Sequence, residues 1–247
     1  MNELKPWEYK TESVRTSDTT YNFIIFCEDE VSEPIYLKQF EREHLKVNVI
    51  PNQKSKKLNI DLAITHCREN SLIIYNDKVP KLNVTDGTQV WCVFDRDIEA
   101  DQDKILLNHT SFDTSIKTAT DAGIALAWSN DAFELWLLLH FEDIVFEDHE
   151  YRHRMKYYDR LTVILKGLKF APEYQKVVDS ENYQYKYSMK RPNKFIAMVL
   201  PNLKGKTEVA LERARKLEEL HKSTKSYHEM APCTMMHKLV GELIRLA

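Results

Sequence analysis

Val90-Trp91-Cys92-Val93-Phe94-Asp95-Arg96-Asp97 is the stretch on which the reading of this chain turns. Five apolar residues, among them aromatic Trp91 and Phe94 and β-branched Val90 and Val93, run without a polar interruption into a carboxylate. A short run of that composition bounded by polar sequence is the pattern of a buried strand. Strands of this kind belong to parallel sheets covered by helices, whose ligands gather outside the strands' carboxyl ends. Asp95 and Asp97 stand at such an end. On an extended backbone, residues two apart point to the same side.

A second run repeats the arrangement. Phe23-Ile24-Ile25-Phe26-Cys27 leads into Glu28-Asp29-Glu30-Val31-Ser32-Glu33-Pro34. Ionised carboxylates held this close repel one another, and a divalent cation is the simplest means of keeping them charged. Two Asp oxygens, a third carboxylate from a neighbouring strand and water suit octahedral Mg²⁺ or Mn²⁺. Such an ion activates water and neutralises the charge that develops in phosphodiester cleavage. Asp-x-Asp is common in itself; its place after a buried strand, with Glu28 after an earlier one, singles it out.

The remaining elements follow outward from these two. Strand one covers 22–28. Ser32 suits an N-cap and Pro34 the first turn of a helix over 32–44. Residues 45–50 alternate as a half-exposed strand does, 58–70 read as a helix, and 71–88 as a polar connection with a turn at Asp86-Gly87. After the strand at 89–95 come a helix over 109–122 ending at Gly123, a strand at 124–128, and a helix from Ala132 to Phe141 capped by Ser129-Asn130-Asp131. Strands and helices in alternation predict an α/β fold, a mainly parallel sheet flanked by helices on both faces. Beyond residue 150 the pattern becomes helical, with helices at 151–169, 172–182, 193–200, 205–223 and 233–247. The chain thus divides into a polar N-terminal arm (1–20), an α/β catalytic domain (21–150) and a helical, basic and aromatic C-terminal region (151–247).

Charge divides with it. Residues 1–150 carry 15 Lys and Arg against 28 Asp and Glu, and residues 151–230 carry 18 against 9, so an acidic half joins a basic one. That asymmetry predicts a metal site beside a surface for a polyanion. Lys186, Lys190, Arg191 and Lys194 are candidates for phosphate contacts, and Tyr183, Tyr185 and Tyr187 for stacking on unpaired bases. A small tyrosine core under solvated lysines is the alternative. Arg96, between the two aspartates, contacts phosphate or balances their charge. Unstacked bases favour RNA, tRNA included, as the nucleic-acid partner, with DNA as the other candidate. Scattered Cys27, Cys67, Cys92 and Cys233 lack metal-ligand spacing and predict buried free thiols in a reducing, cytoplasmic setting. No apolar run approaches the ~20 residues of a membrane span, and no signal core opens the chain. Without a Walker-type phosphate loop, ATP hydrolysis is not expected of this chain. His140, on an apolar stretch, reads as core.

Four segments resemble one family. Phe26-Cys27-Glu28-Asp29-Glu30-Val31-Ser32-Glu33-Pro34-Ile35-Tyr36 is similar to the opening motif of RloB-like proteins, and Phe94-Asp95-Arg96-Asp97 continues the match. Ala127-Trp128-Ser129-Asn130-Asp131-Ala132-Phe133-Glu134-Leu135-Trp136-Leu137-Leu138-Leu139-His140-Phe141 looks like the family's most specific motif, and Pro232-Cys233-Thr234-Met235-Met236-His237-Lys238-Leu239 its ending. The resemblance implies a Toprim fold related to the nuclease parts of OLD-type and PARIS-type defence systems. It also implies an ABC-type ATPase as partner. It makes Glu28, Asp95 and Asp97 the metal-linked acids, with Glu33 and Glu134 as supporting catalytic acids. Asp29 stands where the family has glycine, which adds a charge to that turn.

The function expected is a Mg²⁺- or Mn²⁺-dependent nuclease of antiviral defence, self-associating as a homo-oligomer in one version. A catalytically silent module docking on an ATPase is the alternative. A phosphohydrolase of the haloacid-dehalogenase kind fits Asp95-Arg96-Asp97 locally but leaves Glu28 without a role.

Overall fold

The computed structural model describes residues 20–51, 59–97 and 102–247, without the side chains of 59 and 102–107. The arm at 1–20 lies outside them, Thr20 excepted. Along the chain come β1 (Tyr21–Cys27), α1 (Ser32–Lys38), β2 (Leu45–Pro51), α2 (Asn59–Glu69), β3 (Ile73–Asn76), β4 (Val79–Leu82), β5 (Thr88–Asp95), α3 (Gln102–Ala122), β6 (Ala125–Asn130) and α4 (Glu134–Leu139). Helical pieces follow: α5 (Arg154–Lys166), α6 (Pro172–Val178), α7 (Tyr185–Ser188), α8 (Pro192–Lys194), α9 (Leu200–Leu203) and α10 (Thr207–Leu220). The short strand β7 (Cys233–Thr234) and α11 (Met236–Leu246) end the described chain.

Five strands form the main sheet in the order β2-β1-β5-β6-β7. The first four run parallel, and β7 pairs antiparallel with the end of β6, Ser129 opposite Thr234. The fold is therefore α/β with a mainly parallel sheet, as the alternating elements predict. Strand periodicity sorts the apolar side chains onto two faces. Phe23, Ile25, Cys27, Trp91, Val93 and Ala127 join one cluster, covered by α1, α4, α5, α10 and α11. Phe26, Val90, Cys92, Phe94 and Trp128 join the other, under α2 and α3. Burial on both faces is why these strands read as unbroken apolar runs rather than alternating ones. The first cluster runs from Phe23 to Leu246, so the residues on either side of position 150 share one core.

Several boundaries differ from the sequence reading. Residues 71–88 are not merely a polar connection: β3 and β4 pair there as an antiparallel hairpin. Its turn is Asp77-Lys78, at φ 48° and 69°, the positive pair a two-residue primed turn needs. Lys in place of the usual Gly hid that signal. Helix α1 stops at Lys38 rather than 44, and α3 begins at Gln102 rather than 109. Ser32 is the first helical residue, not the cap. Asp29 caps instead, Oδ1 accepting from Val31 N–H (2.7 Å) and Oδ2 from Ser32 N–H (3.0 Å). Ser129 and Asn130 extend β6 and cap nothing, and α4 starts at Glu134 without a side-chain cap. The helix read at 193–200 is broken by a π-helical turn at Phe195–Val199. It ends two residues before Pro201, which has no N–H to offer Ala197. Cys233 and Thr234, read as helical, form β7.

Gly123 follows α3 at φ 79°, the left-handed stop its position predicts. All four cysteines are buried and free. Among the described residues no helix is long and apolar enough to cross a membrane.

Candidate functional site

The chain leaves β1 for β2 on one side, then returns past β1 to β5 on the other, so strand order reverses between β1 and β5. In open α/β sheets the ligand crevice opens at such a reversal, outside the carboxyl ends. Glu28 follows β1 and Asp95 ends β5, so the topology alone places the two carboxylates together. The Asp95 N–H donates to Glu28 Oε2 at 2.9 Å. A cleft of about 170 Å³ opens beside them, lined in part by Glu28, Asp95, Asp97, Asn108 and Ser111.

Strand parity turns Asp95 the way Trp91 and Val93 face, towards α1 and α4, whose first turns bring in Glu33 and Glu134. Both are 1% exposed. Glu33 Oε2 accepts from the Asp29 N–H (3.2 Å), closing a loop in which Asp29 caps the helix and Glu33 holds Asp29. Asp29 keeps a negative φ, since positive φ at non-glycine residues occurs only at Ser71, Asp77, Lys78 and Asp97 among the described residues. The turn therefore needs no glycine there.

Crowding of like charge shows in the protonation of these groups. Burial, then the charges of Glu33, Asp97, Glu28 and Glu134, pushes Asp95 well above the usual carboxylate range. Burial pushes Glu33 up as well, with Asp29 and Glu28 adding to it. Glu28 is open to solvent as a residue, yet desolvation of its carboxylate lifts it to about 7 against the lowering effect of the Asp95 N–H. Asp95 Oδ1 is buried and, among the described residues, accepts no hydrogen bond.

Two cations enter the cluster. Lys190 Nζ lies 2.8 Å from Glu134 Oε1, so this lysine neutralises a buried acid instead of standing free for phosphate. Desolvation disfavours its charge, but Glu134, Tyr158 and Asp29 together hold Lys190 above its ordinary value. Arg154, at the start of α5, clamps buried Asp131: its Nε and backbone N–H reach Oδ2 (3.1 and 3.0 Å) and Nη2 reaches Oδ1 (2.7 Å). Its Nη1 pairs with Asp97. The strand's extended conformation ends at Asp95, and Asp97 takes φ 51°. Both aspartates nevertheless line the same cleft, and the charge of Asp97 acts on Asp95.

The oxygen donor set fits the chemistry of Mg²⁺ or Mn²⁺, and the orphan Asp95 Oδ1 is an atom a cation would satisfy. Yet Asp97 is held by Arg154. Among the described residues no group of three or more His, Cys, Asp or Glu side chains is arranged as a metal site. The structure thus brings Glu28, Asp95, Glu33 and Glu134 together, with Asp97 on the same cleft and paired with Arg154.

The basic and aromatic candidates separate. Tyr183 and Tyr185 are buried in the first core cluster, as the tyrosine-core alternative has it, and their rings are closed to bases. Tyr187 is 70% exposed, with Lys186 Nζ 5.6 Å from its ring centre. Arg191 is exposed and Lys194 half-buried. Arg96 is buried, Nη1 donating to Asn130 Oδ1 (3.1 Å) and to the His228 carbonyl, so it ties β5 to β6 and the 227–229 turn. His140 is core: its Nδ1 meets the Trp136 carbonyl (2.9 Å) and Nε2 the Tyr36 hydroxyl (3.2 Å).

Sequence reasoning missed Arg154, Asp131, His109, Asp113 and His228. The Asp131 clamp had a signal in the run Ser129-Asn130-Asp131, read there as a cap. Neither His228 nor Asp113 carries a local pattern, since they meet only through folding, at 2.8 Å between Nδ1 and Oδ2.

No curated protein and no solved structure matches the chain. A family model described as RloB-like protein matches residues 23–243, from the first strand of the sheet into the last helix. Sheet, acid cluster and basic region all fall inside that match, and the chain belongs to the RloB-like protein family.

Proposed function

We propose that this protein is a divalent-cation-dependent nuclease of the Toprim type, hydrolysing phosphodiester bonds in RNA, tRNA included, or in DNA, as an effector of antiviral defence. The observation that carries the reading is the meeting of Glu28 and Asp95 at the strand-order reversal, with Asp95 Oδ1 buried and unpartnered.

In the hydrolysis a water oxygen bonds to phosphorus, the bridging P–O ester bond breaks, and the departing oxygen takes up a proton. Glu28, Asp95 and Asp97 would hold Mg²⁺ or Mn²⁺, Asp97 being paired with Arg154 in the structure. The bound ion supplies Lewis-acid neutralisation of the charge that builds on the phosphate oxygens. Glu28, facing the cleft, takes the proton of the attacking water where it is not itself a ligand. Glu33 supports the loop that carries Glu28 through Asp29. Glu134 and Lys190 set the charge behind Asp95. Tyr187, Lys186, Arg191 and Lys194 supply the stacking and phosphate contacts left on the surface. An ABC-type ATPase partner and self-association belong to this reading through the family resemblance.

A second reading, a catalytically silent module acting on an ATPase, draws on the Arg154–Asp97 pair, which occupies one of the three metal-linked acids. One experiment separates the two. Purified protein is incubated with labelled tRNA and with plasmid DNA in Mg²⁺ or Mn²⁺, alone and with the ATPase, beside Asp95→Asn and EDTA controls. Cleavage that disappears in both controls supports the nuclease. Metal binding without turnover in every combination supports the silent module.

A further inference from the structure

A second pocket, of about 460 Å³, adjoins the acid cleft. The two share Arg96 in their linings. The acid cleft is walled by carboxylates, whereas this pocket is lined by Arg96, His109, Arg152, His153 and His228, with Glu229 the one acid in its lining. None of its histidines nor Arg152 belongs to the acid cluster or to the basic stretch after residue 182.

We propose that this pocket is a phosphate-binding subsite, built to hold a phosphodiester of the nucleic acid next to the one at the acids. The assignment to nucleic acid rests on the function proposed above; the affinity for phosphate does not.

The pocket is preorganised from three elements. His109 comes from α3 and stacks on His228, ring centres 4.3 Å apart and planes 16° from parallel. His228, from the turn at Tyr227–Glu229, is fixed twice by Asp113 of α3. Its backbone N–H donates to Oδ1 (2.8 Å) and its Nδ1 lies 2.8 Å from Oδ2. A carboxylate on Nδ1 sets the tautomer and leaves Nε2 as the free end of the ring. The same turn is held to β5 and β6 by Arg96 and Asn130, which bind the carbonyls of residues 227 and 228. Arg152 and His153 enter from the segment just before Arg154 and are exposed. Guanidinium donors, and imidazole rings whose Nε2 donates when the ring is protonated, converge on one space, the arrangement that binds phosphate oxygens through charge-assisted hydrogen bonds. Desolvation, then the neighbouring Arg96 and His228, holds His109 below its ordinary value. An entering anion offsets those neighbouring positive charges.

The test uses the full chain with isotopically labelled histidine, followed by NMR in EDTA. Inorganic phosphate is added in one arm and a 5′-phosphorylated single-stranded RNA oligonucleotide in the other. The ring resonances of His109 and His228 should move saturably in both arms, and more tightly with RNA. Arg152→Ala removes an exposed side chain and should weaken phosphate binding about tenfold, the loss of one charge-assisted contact. Asp95→Asn should leave phosphate binding intact. Histidine signals that do not move, or an affinity unchanged in Arg152→Ala, overturn the subsite even if the protein cleaves nucleic acid. Saturable phosphate binding in a protein that cleaves nothing keeps the subsite and sinks the nuclease. Movement with phosphate but not with RNA overturns the assignment to nucleic acid.

Discussion

Asp95 donates its backbone N–H to the Glu28 carboxylate at 2.9 Å while its own buried Oδ1 has no hydrogen-bond partner among the described residues. One acid is thus partly satisfied by the strand that carries the other. Asp95, Glu28 and Glu33 are all held above the usual carboxylate range. A folded-state pKa raised in this way adds stability that is complete below the ordinary carboxylate range and lost as pH rises through the raised value, near 7 for Glu28.

Metal-free protein should therefore be strained at its acid cluster at neutral pH. Asp95→Asn keeps the shape and removes a charge, and in EDTA at pH 8 it should be more stable than the parent by about 0.5–2 kcal/mol, the usual scale for relaxing a functional site. Mn²⁺ at a hundredfold excess over its Kd should stabilise the parent by about 2.7 kcal/mol, ~5–10 °C in Tm. It should leave the variant unmoved. Scanning calorimetry on both proteins with and without Mn²⁺ checks this; equal shifts in the two would exclude Asp95 as a ligand.

Arg154 separates structural from functional effects. It is the charge partner of Asp131, which is 1% exposed. Arg154→Ala removes the guanidinium clamp from that buried carboxylate, and should cost about 3–5 kcal/mol in urea unfolding. Asp97→Asn, at an exposed partner of the same arginine, should cost less than about 1 kcal/mol. Comparable losses in the two variants would show that the clamp on Asp131 does not hold this corner.

The tyrosines divide by exposure. Tyr185 is fully buried and its hydroxyl has no hydrogen-bond partner. Tyr185→Phe removes an unsatisfied polar group and should leave stability equal or higher, with RNA affinity unchanged. Tyr187→Ala should leave stability within ~0.5 kcal/mol and weaken single-stranded RNA binding by about 1–3 kcal/mol. Fluorescence anisotropy with labelled RNA reads both; a larger loss for Tyr185→Phe would reverse the assignment.

His140 supplies the opposite pH dependence to the acids. Burial lowers its pKa to about 4. The unfolded chain then takes up a proton near pH 6.5 that the folded chain refuses until pH 4, so stability falls as pH drops through that window. Between pH 7 and pH 5 the loss should be about 2 kcal/mol, at 1.36 kcal/mol per unit. Urea unfolding of the parent against His140→Gln isolates the term; an identical pH slope in the two would remove His140 as its source.

What the sequence disclosed follows from the range of the forces involved. Strands β1 and β5 are buried on both faces, so their unbroken apolar runs announce them, and the acids at their ends come with them. Sheet order was not local, yet the alternation of elements was enough to predict parallel pairing. The hairpin at Ile73–Leu82 escaped because its turn uses Asp77-Lys78, and Ile74, Tyr75 and Val79 stay exposed. Tyr185 differs from Tyr187 only in which way one four-residue helix faces, Tyr183 lies just before that helix, and no periodicity survives in so short a segment. The Arg154–Asp131 clamp and the His228–Asp113 pair join residues 23 and 115 positions apart. Contacts of that kind leave no trace in local composition.

The two residues of β7 carry a consequence for biosynthesis. They complete the sheet beside β6, where Ser129 Oγ meets Thr234 Oγ1 at 3.0 Å, more than a hundred positions away along the chain. Helix α11, just after them, covers the same core that holds β1 and β5. A ribosome translating this protein therefore carries a sheet without its last strand until Thr234 has left the exit tunnel. Nascent chains arrested before Cys233 should be digested by protease where released chains resist.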